Sequence, residues 1–588
     1  TVPLKAPKPD ERPRVFIRNH NLWQRDPQTQ REKALTQDGT PEDAYTSPVS
    51  MSPDGQTVLC LRTIPALEHT VHLVESAPGD QLQPKLHSFN YLKPGDPIDR
   101  PRPLLFRLAT KQVVPVNDSA FSNPWSISQF HWSADSAEVF VLHNQRGHQK
   151  LQVIAIHATA GQTRVVVDES SDTFIDYSQK TELHWLDDTR ELIWASERSG
   201  WNHLYLYDAV TGAVINPITS GEWVVRKVLR VDPKQRQIWF TACGIRPDED
   251  PYHLHLCRAN LDGSGFLQLT EGDGTHDITW SPDHTHFIDR WSRVDQPPVH
   301  ELRRTSDGHL VAKLEEADVT ALLAAGYRPP DRFTAPGRDG TTPIHGIILR
   351  PTNFDSARSY PVIEDIYAGP HGQFVPKSFS LHLRDQAIAE LGFVIVRIDG
   401  MGTNWRSRAF HEVAWKNIRD AGFPDRIAWM KAAGKTRPWM DLDRVGIFGG
   451  SAGGQNAMRA LLDYGDFYRV AAADCGCHDN RMDKIWWNEA WMGWPVDDSY
   501  AASSNAVDAH KLNGHLLLTV GELDRNVDPA STMQVVHALI AADKDFDLLV
   551  IPGKGHGAGE TPYASRRRMD FFVRHLMGRE PRWTPAPQ

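Results

Sequence analysis

Two patterns of hydrophobic and polar positions divide the chain. Up to about Gly326, apolar residues fall in short runs broken by polar turns, as β-strands joined by tight turns require. VFIRNHNLWQRD (residues 15–26) reads as strand, turn, strand. The segments SPVSMSPDGQTVLCLR, FHWSADSAEVFVLH, LHWLDDTRELIWAS, VLRVDPKQRQIWFTA and ITWSPDHTHFIDRW each repeat a strand, a turn of Asp, Pro, Gly, Ser or Lys, and an apolar strand. The later copies recur at about fifty residues, a period that predicts four-stranded blades stacked radially as a β-propeller of seven or eight blades. LEEADVTALLAAGY (residues 314–327) reads as a linker helix stopped by Arg328-Pro329-Pro330. The expected division is a propeller domain over 1–329 and a second domain over 330–588.

From Phe333 strands alternate with helices. TPIHGIILRP, PVIEDIYAG, FVIVRIDG, VAAADCG, HLLLTVGELD and FDLLVIPGKGHG are strand-like, and RRRMDFFVRHLMG closes the chain as a helix. FVIVRIDG is almost wholly apolar, as a strand covered on both faces should be. This alternation predicts a doubly wound, mostly parallel sheet with helices on both faces, and it places chemistry at the carboxyl ends of the strands.

One stretch at such an end is informative. In VGIFGGSAGGQNAMRALL (residues 445–462) a strand ending in Val445, Ile447 and Phe448 breaks into glycines around Ser451 and continues as a helix with Met458, Leu461 and Leu462 on one face. Strand, Gly-x-Ser-x-Gly, helix is the nucleophile elbow of an α/β-hydrolase. Asp524 follows a later strand and His556 the last one, giving the chain order Ser, acid, His. In that arrangement Ser451 attacks a carbonyl, His556 takes the proton and Asp524 orients the imidazole. Glu522 and Asp528 are alternatives for the acid.

Composition adds limits. With 588 residues, 40% hydrophobic and 23% charged, the chain is long enough for two to four ordinary globular domains. A formal net charge of −10 gives no reason to expect nucleic acid or an anionic membrane as partner. No apolar run reaches spanning length. The sequence starts at Thr1, which favours a processed periplasmic or secreted protein over a cytoplasmic one. Five cysteines make no disulfide framework. Cys243 and Cys257 flank GIRPDEDPY, facing each other across a hairpin or standing as two buried thiols. His253 and His255 alternate on one strand, read as a solvated face. No cofactor and no metal are expected, Cys475, Cys477 and His478 in DCGCHDN lacking a second ligand cluster.

The motifs YPVIEDIYAGPHGQ, IDGMG, GGSAGG, NEAWMGWP, GELDRNV and GHG, with SERSGWNHLYLYD and INPITSGEW in the first half, resemble the prolyl oligopeptidase family of serine peptidases, in its dipeptidyl peptidase IV-like branch. The resemblance covers nearly the whole chain. It implies a β-propeller capping an α/β-hydrolase, with the active site between them, and a peptidase of short peptides, dipeptidyl-peptidase-like or oligopeptidase-like. The alternatives are an acyl-peptide hydrolase or esterase on the same triad, and a non-catalytic scaffold. It implies Ser451, Asp524 and His556 as catalytic, Tyr367 and the N–H of Ala452 as oxyanion donors, Asn526 as holder of a substrate carbonyl, and Trp487 and Asp483 as pocket residues. A homodimer fits the resemblance. The double glutamate that grips the substrate amine in dipeptidyl peptidases is not found before LHWLDDTRELIWAS, Ala452 stands where dipeptidyl peptidase IV has tyrosine, and Asp483 stands where a pocket tyrosine is expected. Blocked peptides are therefore expected to be cut, with Asp483 either neutralised by Arg481 and Lys484 or facing the pocket and favouring a basic residue before the cut.

Overall fold

The computed structural model describes residues 13–581. Its first half is a series of antiparallel sheets laid down in chain order: a three-stranded one (Arg14–Arg18, Asn21–Arg25, Glu32–Ala34) and five four-stranded ones. The five repeated segments are the first two strands of the five four-stranded sheets, for example Pro124–Trp132 with Glu138–Gln145 and Thr275–Trp280 with His286–Arg293. Their turns share one device. Gly55, Ser136, Arg190, Arg236 and His284 occupy equivalent turn positions, all with φ between 53° and 72°. Side chains such as Asp54, Asp135 and Asp283 hold these turns by accepting hydrogen bonds from Ser52, Ser133 and Ser281. The cores lie between neighbouring sheets, as when Leu59, Val141 and Ile154 pack together.

Six blade-like sheets among the described residues are fewer than the seven or eight expected from length over repeat. Length is absorbed elsewhere. The hairpin Thr70–Glu75 with Lys85–Asn90 is inserted inside the first four-stranded sheet, and long connections such as residues 171–182 add no sheet. Two local expectations are corrected, and of the two readings of Cys243 and Cys257 that of two buried thiols holds. Leu310–Glu316 is the outer strand of the last sheet, with Glu316 opposite Val299, and helix is confined to Thr320–Ala324; strand pairing overrides the helical preference of residues 314–316. Cys243 pairs with Leu254 and Cys257 with Phe240, so the two thiols do not face each other and both are free and buried. His253 and His255 are buried, not solvated, with His255 Nε2 2.8 Å from Glu249 and His253 Nδ1 3.4 Å from Asp273.

The second half is built on one eight-stranded sheet. Its spatial order is Asp331–Pro336, Pro343–Leu349, Val394–Asp399, Tyr360–Asp365, Met440–Gly450, Tyr468–Asp474, His515–Gly521 and Asp547–Ile551. The first two pairings are antiparallel and the others parallel. Alternate residues serve two cores. Ile447 packs with Met458, Leu461 and Val535 on one face, whereas Phe448 packs with Ile395, Phe571 and Phe572 on the other. This is the expected α/β-hydrolase sheet. The two halves touch through buried polar contacts, among them the Arg146–Glu489 ion pair at 2.6 Å and the bond from Asn404 Nδ2 to Asp176 at 2.7 Å. No helix of the described residues is long and apolar enough to cross a membrane.

Candidate active site

The strand Met440–Gly450 and the helix Ala452–Asp463 meet at Ser451, whose backbone is held at φ +60° and ψ −123°. That conformation is strained for a residue with a side chain and persists because the surroundings fix it. The Ser451 N–H donates to the Asp474 carbonyl at 2.9 Å, and the Ser451 carbonyl accepts from Gly454 and Gln455. The glycines make this approach feasible: a Cβ on Gly449 or on Gly453 would stand 2.4 Å from the Ile366 carbonyl oxygen. Tyr367, one residue beyond that carbonyl, lines the same cavity as Ser451, and burial pushes its hydroxyl's pKa up to about 12. It therefore stays a donor over the physiological range.

Asp524 follows the strand His515–Gly521 and is fully buried. Its Oδ1 accepts from the N–H groups of Asn526 at 2.8 Å and Val527 at 3.0 Å, and its Oδ2 lies 2.7 Å from His556 Nδ1. The end of the strand Tyr468–Asp474 ties this pair to the elbow. The Asp474 carbonyl takes the Ser451 N–H, and its carboxylate takes the Gly559 N–H at 3.0 Å, three residues after His556. Burial raises the Asp474 pKa to about 6.

Ser451, Tyr367, Ala452, Asn526, Trp487 and Asp483 line one cavity of about 320 Å³. Asp524 and His556, paired with each other, do not line it. Trp487 is buried, and its Nε1 donates to His371 Nδ1 at 3.1 Å, a ring that burial keeps neutral. Asp483 is buried within a network of the Tyr91 hydroxyl at 2.8 Å, Asn488 Nδ2 at 2.9 Å and Lys484 Nζ at 3.0 Å. Arg481 pairs with Asp479 instead, because its side chain folds back on its own turn. The sequence reading missed Tyr91 and the propeller wall of the cavity. That wall is residues 175–179, where Asp176 accepts from Ser178 and Gln179 at one oxygen and from Asn404 at the other. The loop sits just ahead of LHWLDDTRELIWAS, so the one available signal was an aspartate where a glutamate pair was sought.

Among the described residues, two clusters present metal-ligating atoms within 4.8 Å of one another: Cys475 with Asp524 and His556, and Glu249 with His253 and Asp273. In the first, His556 and Asp524 are bonded to each other and burial keeps the Cys475 thiol protonated. In the second, Arg246 stands 2.9 Å from Glu249 and Arg293 pairs with Asp273, so cations already balance both carboxylates.

A serine set on a strained strand–helix turn, a tyrosine lining the same cavity, and a buried aspartate paired with an exposed histidine on neighbouring loops define an α/β-hydrolase of the nucleophile-elbow type, roofed here by propeller blades. The model of the prolyl oligopeptidase family matches residues 378–579, that of the dipeptidyl peptidase IV N-terminal region matches residues 6–298, and the chain belongs to the prolyl oligopeptidase family. Human dipeptidyl peptidase 8 is 26% identical over 509 residues, covering 76% of this chain and 56% of that protein. A probable dipeptidyl-aminopeptidase B of Arthroderma gypseum is 25% identical over 588 residues, covering 92% of this chain and 63% of that protein. The chain thus spans less than two thirds of these relatives. Among solved structures, Porphyromonas gingivalis dipeptidyl peptidase 4 superposes with a TM-score of 0.82 at 23% identity, covering 97% of this chain and 82% of that one, a likeness of fold.

Proposed function

We propose that the chain is a serine dipeptidyl peptidase of short peptides, with Ser451 as nucleophile, His556 as base and Asp524 as the acid that orients it. The observation that carries this reading is the strained Ser451, opening together with Tyr367 into a cavity walled by both halves of the chain. Ser451 Oγ attacks the scissile carbonyl as His556 takes its proton and passes it to the leaving amine. Tyr367 and the Ala452 N–H, at the start of the helix Ala452–Asp463, receive the oxyanion. Asn526 holds the preceding peptide carbonyl, and Trp487 supplies a flat wall for a small or ring-shaped side chain. Asp483 is charge-compensated by Lys484, so no preference for a basic side chain is expected of it. We divide the chain near residues 329 and 330, between the last propeller strand and the first strand of the large sheet.

Asp176 revises the expectation for blocked peptides. It is a carboxylate in the propeller wall of the cavity that holds Ser451, suited to pair with a free substrate amine. The names of the relatives point to the same amino-terminal action. Mass spectrometry of a free hexapeptide and its acetylated form tests this. Stepwise loss of dipeptides from the free form, little cleavage of the acetylated form, and loss of that discrimination in Asp176→Asn are expected. Equal cutting of both forms by the wild type contradicts amino-terminal action and favours an oligopeptidase. Turnover of simple esters alone favours the esterase alternative.

A further inference from the structure

The hairpin Thr70–Glu75 and Lys85–Asn90 belongs to the propeller half, yet it lies on the loop that carries Asp524. The Ser76 hydroxyl donates to the Glu522 carboxylate. Leu523 packs into a small cluster of Val71, Leu73, Phe89 and Tyr91. The Arg525 guanidinium lies 5.3 Å over the Phe89 ring. Lys93 Nζ lies 3.0 Å from the Asp528 carboxylate. One face of the loop is thus held by the hairpin and the segment after it, while Asp524 turns the other way toward His556.

Tyr91 is the centre of this contact. Its hydroxyl lies 2.7 Å from the Asn526 carbonyl and 2.8 Å from Asp483 Oδ1. One proton between two acceptors ties the loop after one strand to the cavity wall at residue 483. Tyr91 does not itself line the cavity, but Asn526 and Asp483 both do. Its ring is buried with Phe89 edge-on at 6.1 Å, so a phenylalanine would keep the same place.

We propose that Tyr91 is a positioning residue of the propeller that fixes Asn526 for the substrate's peptide carbonyl. The proposal rests on the peptidase reading above. It explains how a propeller blade can set substrate affinity in a site whose reacting groups all lie on the other half. The loss of one hydrogen bond at a buried group should weaken capture of a peptide and leave the serine chemistry in place.

The test compares wild type and Tyr91→Phe on a free dipeptidyl anilide, on a simple aryl ester that lacks a peptide carbonyl before the cut, and for labelling by a fluorophosphonate. The expected result is a KM for the anilide raised roughly tenfold with kcat within about twofold, and unchanged ester turnover and labelling. An unchanged KM for the anilide overturns the proposal. Equal losses on anilide and ester overturn it too, since Tyr91 would then only support the Asp524 loop. A wild type that turns over the ester but no peptide anilide overturns the peptidase reading itself and takes this proposal with it, an outcome visible before any variant is made.

Discussion

Three carboxylates crowd the turn after the strand His515–Gly521, and their partners separate them. Glu522 accepts from Ser76 and from the Gly553 N–H, and Asp528 caps the helix Pro529–Ala541 through the Ala530 N–H at 2.9 Å. Asp524 is left for His556. Tyr367 is separated in the same way from a core filler, because it lines the cavity into which Ser451 opens. Tyr367→Phe should lower kcat roughly a hundred- to thousandfold, as loss of one oxyanion donor does, with a smaller change in KM; steady-state kinetics on an anilide checks this. Asp474 sets a pH dependence of stability. Burial raises its pKa from 3.8 to about 6, so the folded state binds this proton more tightly than the unfolded chain does. Its favourable contribution is complete below about pH 4 and is lost as pH rises through about 6. Asp474→Asn keeps an acceptor for Gly559 and does not ionise. Its stability relative to wild type should therefore climb between pH 4 and 7 by of order 2–3 kcal/mol, read from denaturant melts. A gap that does not vary with pH would remove Asp474 from this role. The three residues proposed as the triad stood out in the sequence because each follows a strand with its own glycine-marked turn. Asp176, His371 and Tyr91 were not, since their meaning lies in contacts across more than a hundred residues of chain, such as Tyr91 on Asp483.

At the scale of elements, the elbow works by close approach. The Gly453 position faces the Ile366 carbonyl, next to Tyr367, whereas a Cβ on Gly450 would have nothing nearer than Asp474 Oδ2 at 3.6 Å. Gly453→Ala should push the segment before Tyr367 aside, lowering both kcat and melting temperature, while Gly450→Ala should be tolerated far better. Kinetics and thermal melts of the pair check the contrast, and equal tolerance would mean that the elbow does not depend on this approach. The strands of the large sheet were readable from apolar runs, and the propeller hairpins from the repeated strand–turn–strand segments. The helix expected over residues 314–327 is confined to Thr320–Ala324 because the first residues had a strand to pair with, a long-range fact that local propensity does not carry. The inserted hairpin Thr70–Glu75 with Lys85–Asn90 also broke the even repeat on which the blade number was reckoned.

At the scale of the molecule, the propeller does more than roof the hydrolase. Residues 175–179 form one wall of the cavity, the hairpin grips the loop around Asp524, and Arg146 meets Glu489 through two bonds of 2.6 and 2.7 Å in a buried pair. On the proposed reading, a cavity of about 320 Å³ walled in this way takes a short peptide end rather than a folded protein. The two-part architecture was legible in the switch from strand–turn repeats to strand–helix alternation. The grip between the parts was not, because no pattern along the chain marks it. The most direct test of the whole account is fluorophosphonate labelling of the full chain with mapping of the modified peptide. A single modified residue, Ser451, with labelling lost in Ser451→Ala and strongly slowed in His556→Ala, is the predicted result; labelling that persists in Ser451→Ala, or a folded wild type that takes no label, would contradict it.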